Sequence, residues 1–294
     1  MSAPPEVPAD NAETLAATLR EMVGELATSR GLLWQMTVRD LKLRYKQSLM
    51  GFGWALLLPL LVIGAGVLIR GAVAHGANQS IARADIATMA TKAVAWSFFV
   101  GSIGFAVVSL TSNLNLVTKI YFPREVFPLS SVLTQSVDSL VGAVAALAIL
   151  LFAGCWPGAA WLWALPLAAA LFAMTAGACL LLACGNLFFR DVKYLVQLLL
   201  NFGIFFTPVF FEPAALGGWA GRLMRWNPMT PVLEGLRLAL VEGRSLWQPL
   251  TEAATGFPIW SPWDLAYLAL WAGPLAGLAW LSFHKLEFIY AEYI

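Results

Sequence analysis

Leu49-Met50-Gly51-Phe52-Gly53-Trp54-Ala55-Leu56-Leu57-Leu58-Pro59-Leu60-Leu61-Val62-Ile63-Gly64-Ala65-Gly66-Val67-Leu68-Ile69 carries no charge from end to end. At ~1.5 Å rise per residue, a helix of this length covers roughly the 30 Å hydrocarbon core of a bilayer. Its apolar residues run on without alternating, which excludes a strand of a membrane barrel and leaves the α-helix as the way to satisfy the backbone in lipid. Similar runs lie at about 93–110, 129–152, 161–184, 195–211 and 265–283, each bounded by charged or turn-forming residues. The expected fold is all-α integral membrane with six transmembrane helices, the run 195–211 being the shortest.

The rest of the composition agrees. Hydrophobic residues make up 60% of the chain and charged ones 12%, against roughly one quarter charged in an ordinary soluble domain. A net charge of +1 lacks the concentrated basic face that nucleic acid requires. Cys155, Cys179 and Cys184 lie in or beside apolar runs, without disulfide or zinc spacing, and read as packing residues. His75 and His284 are too far apart in sequence to suggest a shared metal site. The motifs G-x-S-x-G, H-E-x-x-H and G-x-x-x-x-G-K-[ST] are all missing, so no cofactor is expected in this chain and ATP with its magnesium would sit on a partner. The acids Glu6, Asp10, Glu13, Glu21 and Glu25, with no apolar stretch among them, predict that no secretory signal is cleaved.

Residues 1–48 read as a cytoplasmic N-terminal region. Asp10 and Glu13 resemble a capping box, and Leu15, Leu19, Met22 and Leu26 repeat with helical spacing up to Ser29-Arg30-Gly31. Next, Trp34, Val38, Leu41 and Tyr45 share a face flanked by Arg39, Lys42 and Lys46, a pattern suited to an amphipathic helix on a membrane surface, or to a packing face. The positive-inside bias orients the remainder. Arg30, Arg39, Lys42, Arg44, Lys46, Lys119, Arg124, Arg190, Lys193 and Lys285 fall on one side, and Arg70, Arg83 and Lys92 on the other. Both termini, including the tail 284–294, are therefore expected in the cytoplasm, with the six-helix domain at 49–283. The outside segment, about 212–264, holds Thr230 as a cap, Pro231 at a first helical position, Val232, Leu236 and Leu240 on one face and Gly243 as a stop. It predicts a short amphipathic helix in the outer interface or dipping into it.

Within the spans, Ser131, Thr134, Gln135 and Asp138 form one polar stripe, and Gln197 with Asn201 a shorter one. Such residues avoid lipid, either lining a polar pathway or hydrogen-bonding to neighbouring helices. Gly273-Pro274-Leu275-Ala276-Gly277 is a small-xxx-small element that permits close helix approach. Trp156, Trp161, Trp163, Trp260 and Trp263 lie near outer span ends, suiting an aromatic belt, although a flat indole also stacks on a sugar ring.

Four ordered blocks then carry a resemblance. Arg39-Asp40-Leu41-Lys42-Leu43-Arg44-Tyr45-Lys46-Gln47-Ser48 leading through Gly51 and Trp54 to Pro59-Leu60, Lys119-Ile120-Tyr121-Phe122-Pro123-Arg124-Glu125, Asn186-Leu187-Phe188-Phe189-Arg190-Asp191-Val192-Lys193-Tyr194 and Asn227-Pro228-Met229-Thr230-Pro231 together resemble the ABC-2 type permeases of polysaccharide export. The likeness runs from about Gly31 to the C-terminus. It implies a homodimeric channel in the bacterial inner membrane, two copies of a separate ATPase subunit, and a polyprenyl-diphosphate-linked polymer such as O-antigen, capsule or teichoic acid. It also implies contact with the ATPase through the segment 34–46 and the loop 113–125, here Trp34, Arg39, Lys42, Lys46, Lys119, Arg124 and Glu125, and an outward gate between spans five and six. Arg190 and Asp191 become candidates for placing the lipid diphosphate or for coupling.

A sliding polymer needs many weak contacts, which aromatic faces supply. The substrate path is therefore expected at Trp96, Phe98 and Phe99, at the outer end of span two, and at Phe205, Phe206, Phe210 and Phe211 on span five, with Ser131, Gln135 and Asp138 beside them. Lipid-facing packing is the other reading of those aromatics. Two other classes remain: an ATP-independent channel or carrier, and a membrane-embedded glycosyltransferase, which needs acids or histidines gathered at one membrane face.

Overall fold

The computed structural model describes residues 15–46, 48–51, 53–76, 80–114, 116, 123–253 and 255–293. Two helices, α1 (Leu15–Thr28) and α2 (Arg30–Tyr45), meet at Ser29, whose N–H donates to the Glu25 carbonyl while its own carbonyl accepts from Leu33. Then come α3 (Gly53–Gly76), α4 (Arg83–Ala106), the single turn α5 (Ser109–Ser112), α6 (Val126–Phe152) and α7 (Ala164–Phe188), led in by a 3-10 turn at Ala159–Trp163. Helix α8 (Val192–Gly203) runs into a 3-10 turn at Ile204–Phe206. Short helices α9 (Pro213–Leu216), α10 (Gly218–Arg225) and α11 (Met229–Leu236) follow, then an antiparallel ribbon of β1 (Leu250–Thr251) and β2 (Pro258–Trp260). Helices α12 (Pro262–Leu270) and α13 (Ala276–Tyr293) are joined by a π turn at Trp271–Leu275. Pro274 lies inside that turn, where it has no N–H to give to Leu270 and loosens the ladder.

Among the described residues, five helical segments are long and apolar enough to cross a membrane: Gly53–Ala72, Arg83–Ala106, Val126–Phe152, Ala159–Phe188 and Pro262–Leu286. The run expected at 195–211 is Val192–Phe206, which at ~1.5 Å per residue spans only about 22 Å. Asn227 marks its end, donating to the Phe206 carbonyl at 3.1 Å and to Thr207 Oγ1 at 2.9 Å. The helix expected at 93–110 begins ten residues earlier, at Arg83. Asp85 accepts the Ala82 N–H at 3.0 Å there, and Lys92 is buried inside the helix instead of bounding it.

Helix α4 is central. Ala87, Ala90, Ala93 and Ala106 have no exposed surface, and their small side chains let α3, α6 and α7 lie close against it. The close approach expected at Gly273 and Gly277 occurs between them instead. A Cβ on Gly177 of α7 would stand 2.7 Å from Ala276 Cα, whereas Gly273 and Gly277 face open space. One apolar cluster joins Trp96, Leu167, Leu200, Phe210, Leu233 and Trp260. Trp260 is therefore no part of an interfacial belt: it is fully buried and donates to the Leu246 carbonyl at 2.8 Å. Trp156 and Trp263 remain largely exposed.

The amphipathic helix expected after Thr230 is corrected in two ways. All eight residues of Met229–Leu236 are buried, because α11 is lodged between α4 and α7. It also starts before Pro231. The Asn227 side-chain oxygen accepts the Met229 N–H at 2.9 Å, and Thr230 spends its hydroxyl on the Met224 carbonyl. Past a π turn at Arg237–Val241, Gly243 takes a left-handed φ of 64° and ends the segment, as its position in the sequence suggests. Before it, α10 folds back so tightly on α9 that a Cβ on Gly221 would meet the Pro213 carbonyl oxygen at 2.3 Å.

Candidate functional site

The polar stripe of α6 faces α2. Asp138 is buried and both of its carboxylate oxygens are engaged, one by the Arg44 guanidinium and one by the Tyr45 hydroxyl. Arg44 also donates to Gln135 Oε1 at 3.0 Å and lies 3.9 Å from the centre of the Phe105 ring. Along the same face, Thr134 Oγ1 reaches the Thr37 carbonyl at 3.5 Å, and Ser130 Oγ, whose nearest acceptor is the Phe127 carbonyl of its own helix at 2.8 Å, lies 3.2 Å from Asp40 Oδ2. Arg39 occupies the other Asp40 oxygen at 2.8 Å. Residues 130, 134 and 138 repeat at four-residue spacing, so one ridge of α6 meets one face of α2. Gln135 fits a notch in α4, since a Cβ on Gly101 would stand 2.5 Å from it. Ser131 turns back to the Phe127 carbonyl of its own helix at 3.3 Å. Burial, with Asp138 alongside, raises the Tyr45 hydroxyl above its ordinary pKa and keeps it a donor.

Of the apolar stripe read from the sequence, this seat bonds through Tyr45. Thr37, Asp40 and Arg44 form the docking face, while Trp34 is 65% exposed and Lys42, Leu43 and Lys46 point away from the bundle. Arg124, at the start of α6, is half-buried. Glu125 is only 3% exposed and lies 3.2 Å from Nδ1 of His284 on α13, so its carboxylate is directed into the protein. Lys119, with Ile120, Tyr121 and Phe122, lies outside the described residues. Arg190 and Asp191 are exposed on the turn between α7 and α8. Gln197 donates to Asn201 at 3.2 Å on the open face of α8.

The aromatic candidates divide among three clefts. Trp96, Gln135 and Asp138 share a cleft of ≈ 420 Å³ with Arg44, Tyr45 and Trp54. Phe99 and Phe206, with another edge of Trp96, line one of ≈ 290 Å³ beside α8. Phe98 faces away from both, stacked on Phe172 at 6.4 Å in an apolar cleft of ≈ 450 Å³. Phe205 and Phe206 are exposed, and Phe210 is buried 6.3 Å from Phe205. Because α4 starts at Arg83, Trp96, Phe98 and Phe99 stand near its middle and not at one end, which corrects their expected depth.

A second set of charges escaped the sequence reading. Lys92 on α4 meets Glu234 on α11 at 2.6 Å with both side chains 1% exposed, and Arg237 joins Glu234 at 2.7 Å and pairs with Glu242. Arg70 links Asp85 to Glu212, the latter at 3.0 Å. The pairing of Glu234 with Arg237 at i, i+3 was readable. Its link to Lys92 was not, because the residues are 142 positions apart. Among the described residues, no three His, Cys, Asp or Glu side chains gather to hold a metal.

Residues 31–241 match the family described as ABC-2 type transporter. The chain is 30% identical over 227 residues to the O-antigen export system permease protein RfbA of Myxococcus xanthus, covering 76% of this chain and 85% of that one. It is 25% identical over 266 residues to a protein of the same name from Klebsiella pneumoniae, covering 89% and 94%.

Proposed function

Since the chain belongs to the ABC-2 type transporter family, we propose that it is the permease subunit of an exporter that moves an O-antigen-like polysaccharide across the bacterial inner membrane. The observation that carries this reading is the family match from α2 through α11, reinforced by relatives whose names specify O-antigen export. The polymer travels on a polyprenyl diphosphate carrier. A homodimer forms the channel and two copies of a separate ATPase subunit drive it. Val192–Phe206 with the buried turn after it serves as the short sixth crossing.

In this reading α2 lies at the cytoplasmic surface and presents Trp34, Lys42 and Lys46 to the ATPase, with Arg39 behind them. Their exposure supports that role. Lys119 and Arg124 extend the contact. Glu125 holds the start of α6 against His284. Arg190, exposed beside Asp191 at the same face, meets the carrier diphosphate or serves in coupling. Phe99, Phe205 and Phe206, half-buried or exposed at or near the cleft beside α8, offer the polymer stacking surfaces without a fixed hydrogen-bond pattern, and Trp96 backs them from the buried cluster.

Two measurements test the assignment. The purified chain is expected to show no ATP hydrolysis alone, and hydrolysis by the isolated protein would overturn the division of labour. In a background lacking the three native cysteines, cysteine at Gly217 is expected to label with an impermeant thiol reagent in intact cells and cysteine at Ala27 is not. Labelling of Ala27→Cys from outside would reverse the topology.

A further inference from the structure

We propose that Asp138 is a positioning residue for coupling: with Arg44 and Tyr45 it clamps α2 to α6, so that the surface helix and the membrane helix move as one body. The inference rests on the reading that α2 contacts an ATPase, and it adds how a push there reaches the membrane.

Three features carry it. Both Asp138 oxygens are taken by α2, from adjacent residues at its last turn, so a shift of α2 acts directly on the middle of α6. The bonds lie at the outer edge of a seam that also brings Ser130 to Asp40 and Thr134 to Thr37, and contacts spread over two turns of α6 resist rotation as well as separation. Gln135 ties the same Arg44 to the Gly101 notch of α4, against which α6 packs more extensively than against any other described element. A charged pair beside a low-dielectric interior is costly to part and re-form in every cycle, whereas the exposed residues of α2 separate from a partner at little cost. The surface helix is thus joined firmly to the bundle and loosely to what lies outside it.

The test uses the whole chain assembled with its ATPase in vesicles, measuring subunit association, ATP hydrolysis and polymer exported per ATP. Asp138→Asn is expected to leave association in place and lower polymer exported per ATP about tenfold, the scale set by losing a hydrogen-bonded charge. Tyr45→Phe, which removes one donor and no charge, is expected to give a smaller loss in the same direction. The exchanged pair Arg44→Asp with Asp138→Arg is expected to recover part of the ratio. A cross-link between Thr37→Cys and Thr134→Cys provides a separate arm, expected to leave export running because the two helices need not part. An unchanged ratio in Asp138→Asn, or arrest of export by the cross-link, would overturn the clamp. If the parental complex hydrolysed ATP without exporting polymer, the functional reading would fall instead.

Discussion

Helix α2 and helix α11 are both held to the bundle by charge, yet under opposite conditions. The clamp on α2 sits at the edge of the bundle, with the Arg44 side chain 18% exposed and hydroxyls and an amide sharing the load. The pair between Lys92 of α4 and Glu234 of α11 is sealed at 1% exposure on both sides, with Arg237 bonded to the same carboxylate. A sealed pair contributes little net stability over a well-packed apolar substitute, but removing one member strands the other in a medium that cannot solvate it. An edge pair has water as a fallback. The comparison predicts a fold that depends critically on α11 and tolerates adjustment at α2, with transport depending on both.

The largest effect is expected for Glu234→Ala, which leaves Lys92 without its partner and Arg237 with Glu242 alone, at a cost of about 3–5 kcal/mol. Loss of membrane-inserted, monodisperse protein would register it, and a thermal midpoint equal to the parent's would break the contrast between the two regions. Lys92→Met with Glu234→Gln removes both charges and should retain more folded protein than Glu234→Ala. A milder loss is expected for Asp138→Asn, about 1.5–3 kcal/mol, read by the same thermal scan.

Smaller again is Asn227→Ala. It removes the acceptor for the Met229 N–H and the two donations that end the preceding helix, and should cost about 1–2 kcal/mol. The smallest stability change belongs to Lys42→Ala, within about 0.5 kcal/mol because the side chain is exposed. It should nevertheless weaken association with the ATPase in a pull-down. A stable variant that binds the ATPase like the parent would move the contact off this face.

How much of this was legible depends on the range of the signal. Apolar runs are local, so the helices at Gly53–Ala72, Val126–Phe152 and Ala159–Phe188 follow directly from uncharged stretches. The start of α4 lies ahead of the apolar run because Lys92 reads as a boundary, and it is a partner 142 residues away that lets this lysine be buried within the helix. Asp138 was conspicuous as an acid within an apolar run. Whether it lined a path or bonded a neighbour turned on Arg44, 94 residues earlier, whose charge read equally well as a surface feature. The block Asn227-Pro228-Met229-Thr230-Pro231 stood out, but proline spacing favoured a start at Pro231, while the Asn227 side chain sets it at Met229. Burial of α11 is hidden for a similar reason: Val232, Leu236 and Leu240 mark one apolar face, and its one charge, Glu234, is met by Lys92 from α4 as well as by the neighbouring Arg237.

The most direct test of the central claim is to delete this chain in its native cell and follow the polymer. The account predicts loss of the surface polysaccharide with accumulation of the carrier-linked polymer inside, both reversed by the parental chain and not by Glu234→Ala. Polysaccharide reaching the surface at the parental rate in the deletion strain would contradict it.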